Sequence, residues 1–148
     1  MNAVDAITAA ALVALRAGPA LCGAIDEDVD TEAVPEGTTE LINVRHETST
    51  PVNRAAIRGN PVEWQTDIVV EAYARGDSPQ PGTGRASRAL QARVYARLLA
   101  EPSLGGVAID LLPGPIGTDS DRVDRRLGCC AATYTVIHRT GAATLDAA

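Results

Sequence analysis

The sequence predicts an α+β fold, a two-layer sandwich in which two helices pack on one face of a mostly antiparallel sheet. The first observation is an apolar stripe with helical spacing in residues 2–17. The second is a strand-like alternation from Val62 that breaks into a Pro/Gly-rich loop and then into an arginine-rich helix. With four weaker strand patterns, these features give the element order α-β-β-β-α-β-β.

The N-terminal helix carries a start signal, an apolar stripe and a stop signal. Asn2 can cap its first turn, where Asp5 also complements the helix dipole. Gly18 and Pro19 end the helix. The stripe expected to pack on the sheet consists of Val4, Ile7, Ala11 and Leu15.

The next segments alternate between short strands and loops. A short strand is expected at residues 24–25, ahead of the most acidic stretch of the chain at 26–36, which is typical of a solvated loop. Residues 41–47 alternate in polarity and predict a strand. Proline and glycine then interrupt the pattern, so 49–61 is expected to be an extended loop or hairpin arm.

The strand at 62–75 has the clearest alternation in the chain. Its apolar face consists of Trp64, Thr66, Ile68, Val70, Ala72 and Ala74. Residues 76–84, GDSPQPGTG, are expected to form a flexible connector to the second helix. That helix has an apolar arc made of Leu90, Val94, Tyr95 and Leu98. The predicted sheet–helix core is therefore Trp64, Ile68, Val70, Leu90, Val94 and Leu98.

The C-terminal third predicts two more strands, at 105–115 and 129–140, separated by a polar loop at 117–128. The last strand is apolar on both faces, which favours a central or interface-covered position. Residues 141–148 are expected to be frayed. The sequence LRAGPALCGAID recurs as LLAEPSLGGVAID, so either the two halves share a helix-then-strand unit or the match is coincidental.

Composition limits the classes of function. The 148 residues predict one domain, 1–148, and the net charge of −6 disfavours general DNA or RNA binding, which needs a basic face. Cys22, Cys129 and Cys130 lack metal-ligand spacing and are expected to be reduced thiols of an intracellular protein. The N-terminus lacks the basic region of a signal peptide, and no apolar run reaches transmembrane length.

No residue pattern indicates catalysis. His46 and His138 lie in predicted strands without ligands or partners at a recognised spacing. The sequence GTGRAS lacks the remaining residues of both a dinucleotide fingerprint and a P-loop. Asp119, Asp121 and Asp124 lack the central glycine and closing glutamate of a calcium loop. We therefore expect no catalytic residue, no metal and no cofactor.

The second helix gives the strongest functional signal. It carries arginines outside its apolar arc, and the chain contains no lysine at all. Arginine is suited to bidentate pairing with carboxylates at interfaces, although a GC-rich genome gives the same bias. We expect a subunit contact between arginines and acids of neighbouring copies, and a merely solvated helix face is the alternative. The residues concerned are Arg85, Arg88, Arg93 and Arg97 on one side and Asp26, Asp28, Asp30 and Glu32 on the other.

The layout resembles the tail terminator and minor tail proteins of phages with long non-contractile (siphovirus-type) tails. The resemblance spans most of the chain and combines the N-terminal helix ending in GPALCG, the strand WQTDIVVEAYA, the helix end LLAEPSLGGVAID and the final TYTVIHRT. The segment TSTPVNRAAIRGNP and the loop GTDSDRVDRR have no counterpart in that pattern.

The resemblance implies a structural virion protein without catalytic residues. Such proteins form a ring, usually a hexamer, at the head-proximal end of the tail after assembly in the host cytoplasm. The ring caps the tail tube, ends its polymerisation and contacts the tube protein and the head–tail connector or neck protein. DNA contacts it only in passing, and no membrane is involved.

Two alternatives remain at this stage. A head-completion or neck protein of the same virion has a similar size and role. A small α+β enzyme or ligand-binding domain belongs to a different class, and the lack of a convergent polar constellation stands against it. Self-association or binding to tail tubes separates the virion proteins from the second alternative.

Overall fold

The computed structural model describes residues 1–28, 34, 37–52, 59–76, 82–120 and 127–148. The predicted α+β class and the element order α-β-β-β-α-β-β are both confirmed. The elements are α1 (Ala3–Arg16), β1 (Ile25–Glu27), β2 (Glu40–Pro51), β3 (Val62–Arg75), α2 (Gly82–Leu99), β4 (Asp110–Ser120) and β5 (Leu127–Thr140). A short 3-10 helix, Leu104–Gly106, joins α2 to β4. Neither α1 nor α2 is long and apolar enough to span a membrane.

The five strands form one sheet in the order β1-β2-β3-β5-β4. The edge strand β1 runs parallel to β2, and the other pairs are antiparallel. The strand β5 lies between β3 and β4, which explains why it is apolar on both faces, as the sequence predicts. The two copies of the helix-then-strand sequence lead into β1 and β4, so each ends in one edge strand of the sheet.

Both helices pack on the same face of the sheet. Leu90, Val94 and Leu98 of α2 are completely buried against Ile68 and Val70 of β3, which confirms the predicted core at these positions. Trp64 lies at the end of β3 and is only partly buried, because its indole Nε1 donates a 2.9 Å hydrogen bond to Thr140 at the sheet margin.

The buried arc of α2 differs from the predicted one in one residue. Tyr95 was expected in the core, but 39% of it is exposed. Gln91 is buried instead, and its Nε2 donates to the carbonyl oxygens of Val70 and Cys130, both at 2.8 Å. The buried Tyr134 hydroxyl donates to Gln91 Oε1 at 3.1 Å. A polar residue is tolerated at this position because each of its amide atoms has a partner.

Several element ends differ from the sequence-based expectation. The helix α2 begins at Gly82, inside the predicted connector 76–84, because the first helical turn needs no intrahelical N–H partners and so accepts glycine. The strand β2 continues into the predicted arm 49–61, where Thr50 pairs with Gln65. Similarly, β4 extends into the predicted loop 117–128. Pairing with a neighbouring strand is a tertiary effect that local composition does not reveal. The rest of these three segments, 53–58, 77–81 and 121–126, lies outside the described residues.

The sequence predicts a frayed C-terminal tail at 141–148, but in the structure the backbone of this tail is hydrogen-bonded to the rest of the chain. The Leu145 carbonyl accepts a 2.7 Å hydrogen bond from the Ala3 amide, one of the first-turn groups of α1 that lack intrahelical partners. Further along, the Ala148 amide donates to the Arg139 carbonyl at 3.2 Å. The tail therefore folds back and ties the start of α1 to the end of β5.

Candidate subunit interface

Two of the four predicted interface arginines bind carbonyl groups of their own chain. Arg93 donates to the Leu21 carbonyl at 2.9 Å and forms a 2.7 Å ion pair with Glu40. Arg97 donates to the carbonyl groups of Leu15, Ala17 and Pro19. Helix ends leave carbonyl groups without intrahelical partners, and Arg97 caps those of Leu15 and Ala17 at the C-terminal end of α1. Arg93 instead binds the segment that follows, so both side chains hold this region against α2.

The other two arginines, Arg85 and Arg88, are exposed. Within the described part of the chain, neither makes a hydrogen bond or an ion pair. They lie three residues apart on α2 and therefore share one side of the helix. The four predicted arginines thus divide into an intramolecular pair and a solvent-facing pair.

The predicted acidic partners lie at the β1 edge of the sheet. Asp26 is in β1, and the exposed Asp28 follows it with a φ of 49°, a left-handed conformation that Asp adopts more readily than most residues. Asp30 and Glu32 lie outside the described residues. The structure does not bring Asp26 or Asp28 to any α2 arginine of the same chain; the carboxylate that meets Arg93 is Glu40.

A groove lies between α2 and β4, at the opposite side of the molecule from β1. We call it the α2–β4 groove; it has a volume of about 320 Å³ and is lined by Arg88, Gln91, Ala92, Tyr95, Ile116 and Cys130. Ile116 is 56% exposed and Tyr95 39% exposed. Sequence reasoning missed both residues, because it placed Tyr95 on the apolar arc expected to pack on the sheet and Ile116 at the start of a polar loop.

The buried hydroxyl–imidazole pair does not form a usable nucleophilic site. His138 Nε2 lies 2.6 Å from Thr66 Oγ1, and that hydroxyl is 2.7 Å from Ser49 Oγ. A Thr–His contact has the distance needed for proton abstraction. However, Thr66 is completely buried and His138 is 3% exposed, so a substrate has no access to either group.

The thiols are also poor nucleophiles. Burial raises the pKa of Cys129 to about 11 and also raises the pKa of Cys22 and of Cys130. Since the thiolate is the reactive form, such thiols are largely unreactive near neutral pH. Cys129 and Cys130 occupy neighbouring positions in β5 and therefore point to opposite faces of the sheet. No group of three His, Cys, Asp or Glu residues that could hold a metal ion occurs among the residues the structure describes.

The sheet face opposite the helices carries a polar cluster that is satisfied internally. Glu71 accepts hydrogen bonds from Asn43 at 3.1 Å, Arg45 at 3.2 Å and Tyr73 at 2.8 Å. With three donors, this carboxylate has its hydrogen-bonding capacity filled within the chain, so it stabilises the fold. Among the described residues, two surfaces have complementary chemistry and lack intramolecular ion pairs: the α2–β4 groove with Arg88 beside it, and the acidic β1 edge.

Comparisons with known proteins show which solved structures share this fold. No protein-family model matches the chain, and no curated protein matches it. A chain of the virion of native gene transfer agent (GTA) particle is 15% identical with a TM-score of 0.64, and the alignment covers 93% of this chain and 98% of that one. At this identity the similarity shows that the two chains share a fold.

A second solved structure is the PVC sheath/tube terminator, in the extended state, of an extracellular contractile injection system. It is 12% identical with a TM-score of 0.45, and the alignment covers 99% of this chain and 59% of that one. This chain therefore corresponds to about three fifths of the length of that terminator.

Proposed function

We propose that this chain is a structural virion protein that forms a ring on the end of a phage-like tail tube. The observation that carries the proposal is the fold shared almost end to end with a chain of a gene transfer agent virion. The sequence resemblance to tail terminators of long non-contractile tails supports the same role. The ring stops growth of the tube and joins the tail to the head or neck, and the protein has no catalytic role.

The surface chemistry agrees with a protein whose function is assembly. The Thr66–His138 pair is buried and the thiols are buried or half-buried, whereas an apolar groove and two arginines are exposed. Interfaces commonly combine an apolar centre with a polar rim, and arginine is enriched there. The ring is proposed to be hexameric, as is usual for the proteins that the sequence resembles, with the tube protein and a neck protein as its neighbours.

Electron microscopy of the purified protein mixed with tail tubes tests the proposal. We expect a ring on one end of each tube, and tubes assembled in its presence should stop at a defined length. Bovine serum albumin at equal concentration serves as the control for non-specific binding. A protein that stays monomeric and leaves both tube ends bare would contradict the proposal, and binding only to heads or necks would point to the neck protein instead.

A further inference from the structure

We propose that the α2–β4 groove receives the β1 edge of a second copy of this chain, so that copies join head to tail through opposite edges of their sheets. By the β1 edge we mean residues 24–28. The inference rests on the proposed function, because it specifies how the subunits of the ring meet. It also gives a role to two surfaces of the described chain, the apolar groove with Arg88 and the acidic β1 edge.

The groove has the properties of the receiving side. Its wall contains Ile116 and Tyr95, which are more exposed than apolar side chains of their size usually are. Arg88 lines the groove, and Arg85 lies nearby on the same side of α2. An apolar depression bordered by cations fits a partner segment that is apolar at its centre and acidic around it.

The β1 edge has the complementary chemistry. Asp26, Glu27 and Asp28 follow one another, and within the described chain none of them forms an ion pair. Beside them, a cavity of about 360 Å³ between the end of α1 and β1 can accept an apolar side chain. Exposed ion pairs are individually weak, so burial of the apolar side chains of the groove, Ile116 among them, would supply most of the affinity.

The sheet order prevents the two surfaces from meeting within one chain. The strands β1 and β4 are the two edges of a five-stranded sheet. Four inter-strand spacings separate them by roughly 19 Å, which is too far for a direct ion pair. Each copy can therefore offer its groove to one neighbour and its β1 edge to another. Such a head-to-tail contact closes into a ring when the rotation per copy permits it.

Two of the four arginines on α2 already bind their own chain, which leaves fewer arginines to pair with a neighbouring copy. Arg93 and Arg97 bind backbone carbonyls of their own chain, so they cannot also form strong bidentate pairs with a neighbour. Arg85 and Arg88 remain as the donors to the neighbouring acids. The acceptors on the described part of the β1 edge are Asp26, Glu27 and Asp28.

Two charge-reversed variants with opposite defects test this arrangement. The groove variant is Arg85→Glu with Arg88→Glu, and the edge variant is Asp26→Lys with Glu27→Lys. Asp28 is left unchanged because its positive φ disfavours a bulky replacement. We expect each variant alone to be monomeric by multi-angle light scattering, whereas wild type forms the larger assembly. An equimolar mixture should assemble beyond the monomer again, because the intact β1 edge of the groove variant fits the intact groove of the edge variant, and the reversed groove and reversed edge also carry opposite charges.

The control variant is Arg139→Glu, which reverses an exposed arginine on β5 that pairs with Glu63 in its own chain. It should assemble as wild type does. A mixture that stays monomeric, or a charge-reversed variant that assembles alone, would overturn the proposal. Rings that persist in the groove variant and still cap tubes would reject this interface and leave the proposed function intact. A wild-type chain that neither self-associates nor binds tubes would reject the proposed function.

A disulfide cross-link tests the same interface if a charge-reversed variant does not fold. With Ala92→Cys in the groove and Glu27→Cys at the β1 edge of one chain, oxidation should produce a ladder of covalent oligomers on a denaturing gel. Either substitution alone should give no species beyond a dimer. The native thiols are buried or half-buried with raised pKa values and should contribute little. If the double-cysteine variant assembles to the same size as wild type but gives no ladder on oxidation, the proposal is overturned.

Discussion

His138 is the residue whose protonation most directly opposes the fold. Its side chain is 3% exposed, and Nε2 contacts the Thr66 hydroxyl at 2.6 Å. Nδ1 is buried and has no hydrogen-bond partner among the described residues. Burial disfavours the charged imidazolium and lowers the pKa of His138 below its ordinary value. A protonated Nδ1 would therefore place an uncompensated donor and a charge in the core.

This geometry predicts a pH-dependent stability. Because the pKa of His138 is lower in the folded than in the unfolded state, the unfolded chain binds the extra proton first. The contribution of His138 to stability should be complete above pH 6.5, the ordinary value, and should be lost as the pH falls toward the folded pKa. Urea unfolding at several pH values measures it.

The matched variant is His138→Gln, which retains an amide near the position of Nε2 but does not titrate. Its loss of stability between pH 7 and pH 5 should be smaller than that of wild type, since the contribution of His138 is then absent. Equal losses in the two proteins would show that the burial of His138 does not control this dependence.

At the scale of elements, the joint between α1 and α2 depends on a side chain that reaches from one helix to the end of the other. Arg97 donates to three carbonyl groups that follow the last turn of α1 or lie within it. Hydrogen bonds from a charged donor contribute about 1.5–3 kcal/mol, more than neutral ones. A cation at this place also complements the negative end of the α1 dipole.

We therefore expect Arg97→Met to lower the free energy of unfolding by about 2–4 kcal/mol, even though Met preserves most of the aliphatic stem. Thermal and urea unfolding measure the change. Arg85→Met is the control, since Arg85 is exposed and makes no polar contact in the described part of the chain. Its effect should remain within about 0.5 kcal/mol. Similar effects of the two substitutions would mean that the carbonyl contacts of Arg97 add no stability.

The elements differ in how far local sequence determines them. Apolar spacing predicts α1 and the burial of Leu90, Val94 and Leu98 in α2, because a helix must bury one stripe. Alternation predicts β3 and β5, because successive side chains of a strand point to opposite faces of the sheet. The extension of β4 through Thr118 and the docking of Leu145 on α1 depend on partners distant in sequence, so no local pattern encodes them.

The candidate site shows the same division. Arginine content directs the prediction of an interface to α2, but which of its arginines bind the same chain and which face solvent depends on tertiary structure. Only the packing of α1 beside α2 places the Leu15 and Leu21 carbonyls within reach of Arg97 and Arg93. Likewise, Tyr95 and Ile116 come together only when β4 pairs at the sheet edge beside α2.

At the scale of the whole molecule, net charge determines how strongly the proposed ring should bind DNA. The chain carries a net charge of −6. Arg93 and Arg97 are engaged within the chain, as are Arg45 and Arg139. In the proposed ring, neighbouring acids cover Arg85 and Arg88 as well. Duplex DNA is bound mainly through phosphate contacts by basic side chains, and few of the arginines in the described ranges remain available.

We expect wild-type protein to leave duplex DNA unretarded in a gel-shift assay at about 0.15 M salt, because an acidic ring repels phosphate and lets DNA pass without binding. The edge variant Asp26→Lys with Glu27→Lys is the positive comparison, since it carries less negative charge and leaves Arg85 and Arg88 uncovered. It should retard DNA at low salt, with an affinity that falls steeply as salt is added. Retardation of DNA by the wild-type assembly at physiological salt would contradict this expectation, and it would indicate that the ring binds the duplex.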